Sequence, residues 1–318
     1  MMYVELAAGF VLLLAGAEFL VRGAVALSRR LGISEFVIGL TVVAFGTSAP
    51  ELVVSLDAAL TGAGAMAVGN VIGSNVANVL LIMGASGLAM SGGERADALK
   101  RDSVVLTFST LLFVVFAWQG RIDRLGAFAL LVVYAVFIIM SYWRDNRAAQ
   151  APGDTVPETG ARLGRAWIEL LAGLVGVLIG SHLLVDGGVA LARGFGVSEE
   201  VIGLTLIAIG TSLPELAASV MAAIRGHAGV ALGNVVGSNM FNLLVVIGAV
   251  GLATPLLVPQ QIVRFDLWIL LLVTAVVVPY LSGMRNLGRV DGAVMIACYG
   301  LYVAVQIIGV GNVLPIVK

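Results

Sequence analysis

The sequence predicts an all-α polytopic membrane protein, with ten transmembrane helices arranged as two inverted five-helix repeats. Three observations carry that expectation. The 318 residues are 60% hydrophobic and only 12% charged, with mean hydropathy +1.06, more apolar sequence than a soluble core uses. Hydropathy separates ten runs long enough to cross a bilayer, at about 3–27, 35–60, 65–90, 103–118, 123–143, 166–192, 199–224, 227–253, 264–282 and 290–311. The chain also repeats itself: a shift of 164 matches 47 of the 85 positions between 5–89 and 169–253. Five spans per copy is an odd number, so the second copy enters the membrane the other way up. An inverted repeat of this kind places its site near the midplane.

The first run begins at once, without a basic leader, and is too long for a signal-peptide core, so it reads as a retained helix. Glu18 and Arg22 lie four apart on it and can neutralise each other. Their counterparts, His182 and Asp186, also differ in charge. His182 has no companion His or Cys at ligand spacing, which argues against a transition-metal site.

The second run carries Gly46-Thr47-Ser48-Ala49-Pro50-Glu51, and its copy in the seventh is Gly210-Thr211-Ser212-Leu213-Pro214-Glu215. A carboxylate at bilayer depth costs about 2.5–3.5 kcal/mol or more, so it marks function by default. Pro50 has no N–H for the Gly46 carbonyl, and its ring presses on the preceding turn. The helix is expected to open just before Glu51, freeing carbonyls that lipid cannot satisfy. Ala44, Thr47 and Glu51 share one helix face. Carbonyl, hydroxyl and carboxylate together are hard oxygen ligands for a small cation. A proline kink beside a protonated Glu explains one such segment but not two in register. Asp57, near the outer end of this run, has Met221 as its counterpart and reads as a solvated helix end.

The third and eighth runs share a second element. Gly69-Asn70-Val71-Ile72-Gly73-Ser74-Asn75 is followed by Asn78, and Gly233-Asn234-Val235-Val236-Gly237-Ser238-Asn239 by Asn242. The glycine pairs Gly69/Gly73 and Gly233/Gly237 are expected to let helix backbones approach closely. Asn70, Ser74 and Asn78 recur every four residues, a polar stripe that must face the broken helices rather than lipid.

The longest polar stretch, 144–165, contains Pro152, Gly153, Asp154 and Pro157 and suits a flexible linker. It divides a first repeat, 1–143, from a second, 166–318. Spans four and five correspond to nine and ten by position only. Lys and Arg set the orientation. With the N-terminus external, Arg29, Arg30, Arg95, Lys100, Arg101, Arg144, Arg147, Arg162, Arg165, Arg225, Arg285 and Arg289 collect on the cytoplasmic side. Only Arg121, Arg124, Arg193, Arg264 and Lys318 fall opposite, so the linker is cytoplasmic and both termini external. Arg225 and His227 read as surface residues of a cytoplasmic turn, and Cys298 as a small packing residue.

No basic patch interleaved with aromatics is present, so nucleic acid is not an expected partner. No nucleophile–base pair, phosphate loop or zinc spacing points to an enzyme, and no cofactor is expected. Two ionised glutamates place about −2 in one site, which one dehydrated Ca²⁺ neutralises. Na⁺ can use the same oxygens spread over more subsites, so the two ions exclude each other. Exclusive occupancy with alternating access gives countertransport. A calcium/proton antiporter is the alternative, since crowded carboxylates can carry protons; a cation channel fits a single occluded midplane site less well.

The paired segments resemble the two alpha-repeats of the sodium/calcium exchanger family, and within it the compact prokaryotic calcium/sodium antiporters. The resemblance is strongest over residues 35–90 and 199–254. It implies a central diamond of Glu51, Glu215, Asn78 and Asn242, with calcium held by the glutamates and by oxygens at Thr47 and Thr211. It also implies flanking sodium sites: an inner one from Ala44, Thr47, Ser74 and Glu51, and an outer one from Ala208, Thr211, Ser238 and Glu215. Ser48 and Ser212 enter as motif neighbours. The proton branch carries Gly-Asn-x-x-Glu where this chain has Gly-Thr-Ser-x-Pro-Glu, which favours sodium. Some relatives carry Asp at the position of Asn242, so this site holds two carboxylates rather than three. The long regulatory insert of animal exchangers is replaced by the short linker. The resemblance further implies that the first and sixth helices slide over a rigid core. Calcium and sodium ions as cargo, and the lipid bilayer of a prokaryotic inner (plasma) membrane, are the expected partners.

Overall fold

The computed structural model describes residues 2–90, 100–149, 160–195 and 208–313. Arg95, Lys318, the centre of the expected linker and the first part of the seventh span, 199–207, lie outside the described residues. Helix α1 (Met2–Leu31) ends with Arg29 and Arg30 in its last turn. Helix α2 (Glu35–Thr47) starts where the Ser34 side chain accepts the Val37 N–H at 3.2 Å. A 43° bend separates it from α3 (Ala49–Leu60). The bend falls at Ser48, immediately before the Ala49-Pro50 step, where a missing N–H interrupts the helical ladder. Then come α4 (Gly64–Ala89), α5 (Lys100–Trp118) and α6 (Arg124–Ala149). The second half has α7 (Gly160–Gly194), α8 (Ala208–Thr211), α9 (Leu213–Ile224), α10 (Ala228–Ala253), α11 (Ile262–Leu281), α12 (Arg289–Ile308) and α13 (Val310–Val313).

Among the described residues, seven helices are long and apolar enough to cross a membrane, and eight if the bent α2–α3 pair is one span. Burial is arranged for lipid rather than water. Phe10, Val115, Leu272 and Leu301 are exposed on the outside, whereas Glu51, Glu215, Ser238 and Asn242 are fully buried. The helices α6 and α7 extend into the stretch expected as linker. An Arg165–Glu169 ion pair at 2.8 Å, one helical turn apart, supports the start of α7.

The α1–α7 contact is made by glycine. Gly9, Gly16 and Gly23 recur every seven residues, as do their counterparts Gly173, Gly180 and Gly187, so each helix carries one glycine stripe. The stripes meet antiparallel, with Gly9 against Leu184, Gly16 against Val177 and Gly23 against Leu170. A β-carbon at Gly173 would lie 2.1 Å from the Leu20 backbone nitrogen. Only a glycine permits that approach. The pair Gly233/Gly237 does the same for α10 against α2, with β-carbons there falling 2.2 Å from the Phe36 and Leu40 carbonyl oxygens. The expected close approach at Gly69/Gly73 is not found among the described residues, where nothing comes within 4 Å of a β-carbon on either glycine. In sequence the segment matching α2 is 199–211, and the counterparts of Phe36 and Leu40, Glu200 and Leu204, fall in its part outside the described residues.

Three further details differ from the sequence reading. A short antiparallel pairing of β1 (Arg121–Ile122) with β2 (Leu256–Leu257) ties the α5–α6 turn to the α10–α11 connection. Gly120, at φ +76°, makes the turn into β1. Cys298 is exposed rather than packed, because it lies on the outward face of α12. Arg225 and His227 are not merely surface: Arg225 Nε donates to Glu18 at 2.7 Å, and His227 Nδ1 lies 3.0 Å from Glu35. These contacts join residues about two hundred positions apart, which spacing along the chain cannot reveal. Arg22 shares Glu18 at 2.7 Å, as its i,i+4 position suggested, and His182 lies 3.3 Å from Asp186. Asp57 is exposed at its helix end, as expected.

Candidate ion site

The site is built where the two helices break. Pro50 and Pro214 each stand in the first turn of a new helix, where a missing N–H costs nothing. The residues before those helices take the same conformation, φ −85° and ψ 6° at Ser48, φ −90° and ψ 4° at Ser212. Each break therefore delivers a glutamate in the first turn of α3 or α9. Glu51 and Glu215 are both 1% exposed. Their partners come from the opposite copy: Ser48 Oγ donates to Glu215 Oε1 at 2.8 Å, and Ser212 Oγ to Glu51 Oε1 at the longer 3.5 Å. Each motif thus holds the other motif's glutamate. The sequence alone assigns Ser48 and Ser212 no partner.

The amides come from α4 and α10. Asn70 Nδ2 donates to Ser55 Oγ at 3.0 Å, and its counterpart Asn234 Nδ2 to Ser219 Oγ at 2.9 Å. These matched bonds clamp each broken helix to the one that follows, and Ser55 and Ser219 are residues that sequence reasoning missed. Their recurrence 164 residues apart was the available signal. Asn234 also reaches the Glu215 carbonyl at 3.3 Å, while Thr47 Oγ1 lies 3.3 Å from Asn234 Oδ1. Asn78 Nδ2 donates to Asn239 Oδ1 at 3.0 Å, joining α4 to α10. Asn78 opens a widened π-helical stretch, Asn78–Met83, and Asn242 sits second in the matching one, Phe241–Val246. Such bulges are frequent at functional sites.

What remains unbonded defines the chemistry. Glu51 Oε2, Glu215 Oε2, Asn75 Oδ1, Asn78 Oδ1, Asn242 Oδ1 and Nδ2, and Ser238 Oγ are buried and have no hydrogen-bond partner among the described residues. Buried polar atoms are nearly always bonded, and an unpaired buried carboxylate is among the costliest groups to hold. Oxygens left without donors are what a dehydrated hard cation coordinates. Among the described residues no three His, Cys, Asp or Glu side chains gather into a metal-binding group, so hydroxyl, amide and carbonyl oxygens must complete any coordination. Ser74 is 4% exposed and lines a cavity with Thr211. The Ala44 carbonyl already accepts the Ser48 N–H at 3.0 Å and faces the Thr47 hydroxyl at 3.4 Å. Ala208 is the first residue of α8.

A sequence profile for the family described as sodium/calcium exchanger protein matches residues 2–143 and 165–308. The chain belongs to the sodium/calcium exchanger family. It is accordingly a membrane transporter and not an enzyme, and the resemblance read from the paired motifs is borne out. The gap in the match coincides with the polar stretch between the repeats. CaxA of Alkalimonas amylolytica, named as a candidate antiporter, is 36% identical over 301 residues, covering 92% of this chain and 94% of CaxA. The sodium/calcium exchanger MaX1 of Methanosarcina acetivorans is 33% identical, covering 93% of this chain and 96% of MaX1. The sodium-calcium exchanger NCX_Mj, in a structure soaked with 10 mM Na⁺ and no Ca²⁺, superposes with a TM-score of 0.84 at 29% identity. That match covers 95% of this chain and 98% of NCX_Mj.

Proposed function

We propose that Glu51 and Glu215 form one central cation site, occupied by Ca²⁺ or Na⁺ in turn, through which this exchanger swaps sodium for calcium. The observation that carries the reading is the pair of buried carboxylates, each held by the other repeat's serine and each left with an unbonded oxygen. Two ionised glutamates balance one Ca²⁺, with Asn78 and Asn242 supplying neutral oxygens across from them. Ca²⁺ accepts six to eight oxygens in loose geometry, as a rule, whereas Mg²⁺ demands a tight octahedron and dehydrates reluctantly. Na⁺ occupies flanking positions: Ala44, Thr47 and Ser74 with Glu51 on one side, Ala208, Thr211 and Ser238 with Glu215 on the other. Because both ions need the same glutamates, loading one expels the other.

The finer architecture belongs to the same proposal: ten spans in two inverted repeats, 1–143 and 166–318, joined by a cytoplasmic linker. The repeat-mates α1 and α7 run antiparallel, which supports opposite insertion of the two copies. The Lys and Arg bias supports external termini in the inner membrane of a prokaryote. Alternating access then moves α1 and α7 as a glycine-packed pair across the core of α2, α3, α4, α8, α9 and α10. The test is calcium uptake into proteoliposomes. An imposed sodium gradient is expected to drive it and an imposed proton gradient is not; equal driving by protons would transfer the site to the calcium/proton alternative.

Asn242 bears on potassium. It is neutral and fully buried, so the two glutamates leave no residual charge to recruit a third cation once Ca²⁺ is bound. Exchange is expected to proceed unchanged when K⁺ is replaced on both sides by a large inert cation at clamped potential. A collapse of flux on that replacement overturns the argument. In Asn242→Asp, three carboxylates would crowd one site and one should take up a proton, making transport more pH-dependent than in the parent chain.

A further inference from the structure

The two repeats hold one pair of asparagine positions in two different states. Asn75 and Asn78 on α4 are the counterparts, 164 residues earlier, of Asn239 and Asn242 on α10, and all four are buried. Asn78 Nδ2 donates to Asn239 Oδ1 at 3.0 Å. The mirror-related bond would run from Asn242 Nδ2 to Asn75 Oδ1, and it is open: neither atom has a hydrogen-bond partner among the described residues. The Asn75 amide is turned back on its own helix instead, with Nδ2 donating to the Val71 carbonyl at 2.7 Å. Each helix packs against the widened stretch of the other, Asn78–Met83 or Phe241–Val246, so both pairs belong to one α4–α10 contact. Asn75 lies two residues beyond Gly73, about 200° round the helix, and so turns away from the face that Gly73 presents. Simple helix-to-helix bonding does not explain the difference, because identical residues at identical spacing would tie both sides alike. A buried amide left unbonded at both ends, as at Asn242, is costly. A cation can satisfy Asn242 Oδ1 but not its Nδ2, and Asn75 Oδ1 is the matching acceptor.

We propose that Asn75 and Asn239 are positioning residues for the site's two amide ligands, and that their pairs close alternately, one in each access state. A closed pair fixes the Nδ2 of the ligand amide and thereby aims its Oδ1 at the cation. An open pair leaves that amide free to turn its positive Nδ2 end towards the cation instead. The inference rests on the antiport reading and adds to it two residues that set affinity face by face. Its reason is symmetry. The axis that relates inverted repeats lies in the membrane plane, so it exchanges the two repeats and the two faces together. Exchanging the states of the repeats therefore opens the Asn78–Asn239 pair and closes the Asn242–Asn75 pair, in a protein whose site faces the opposite side.

The test is the half-saturating calcium concentration for sodium-driven flux, measured from each face in proteoliposomes of assigned orientation. Asn239→Val removes the acceptor for Asn78 and is expected to raise that concentration about three- to tenfold at one face only. Asn75→Val is expected to raise it by a similar factor at the opposite face only. Asn239→Asp and Asn75→Asp keep an acceptor oxygen at each position and should reverse the rise. A double-mutant cycle separates positioning from packing. In an Asn78→Ala background Asn239→Val should add nothing further, and in an Asn242→Ala background neither should Asn75→Val. An unshifted half-saturation in both valine variants overturns the proposal, as does an equal shift at both faces. So does a rise that the aspartates do not reverse, or a full additive effect in the alanine backgrounds, either of which makes these asparagines packing residues. Should a valine variant not assemble, alanine at the same position removes the acceptor without adding volume, and the same one-sided rise is required of it. Absence of sodium-driven flux in the parent chain would instead be a failure of the antiport reading, and is distinguished by that control.

Discussion

Glu51→Gln and Glu215→Gln are each expected to abolish sodium-driven calcium uptake while leaving the protein folded. The substitution keeps shape and keeps an oxygen where Ser212 or Ser48 donates its bond, so the reciprocal contact between the repeats survives. What changes is charge. Opposite unit charges 4 Å apart attract by about 4 kcal/mol at an effective dielectric near 20, and a divalent ion roughly doubles that. Loss of one carboxylate therefore weakens calcium binding by at least about a thousandfold, since each 1.4 kcal/mol or so is a factor of ten. The remaining glutamate is left against a divalent ion that it cannot neutralise. The measurement is radioactive calcium uptake together with a thermal melt in detergent. A variant that melts like the parent chain and still takes up calcium at a near-normal rate would remove Glu51 and Glu215 from the centre of the site.

Gly173→Val carries the second large effect, on assembly rather than on chemistry. A β-carbon there meets the Leu20 backbone nitrogen at 2.1 Å and its Cα at 2.6 Å, and backbone cannot turn aside as a flexible side chain can. The helices α1 and α7 must separate along the stripe that Gly9, Gly16, Gly23, Gly180 and Gly187 keep narrow. Overpacking of this kind destabilises by about 1–3 kcal/mol, and here it also breaks the surface on which the pair is proposed to move. A lowered melting temperature and loss of gradient-driven uptake are expected together. Gly300→Ala on α12 is the control, because nothing among the described residues lies within 4 Å of its new β-carbon. If Gly173→Val and Gly300→Ala melt and transport alike, the tight α1–α7 crossing is wrong.

Much of this protein is legible in its sequence because the deciding physics is local or periodic. Apolar runs of bilayer length, a proline that removes one N–H, and a repeat with 47 matches in 85 positions need no tertiary information. They locate the helices, the breaks and the two glutamates, and the doubled motif points to the exchanger family. The tertiary structure alone decides who bonds whom across the halves. Ser48 reaches Glu215 from 167 residues away, Ser212 reaches Glu51 from 161, and Arg225 reaches Glu18 from 207. It also shows that Gly233 and Gly237 meet α2. In the same way it ties Asp266, one more acid near the end of a span, to Tyr302 and Gln306 of α12. A repeat specifies identical local chemistry twice, but each copy's partners are set by how two antiparallel halves pack. Burial then forces every unpaired oxygen to find a donor or a cation, and only the packed geometry determines which it finds.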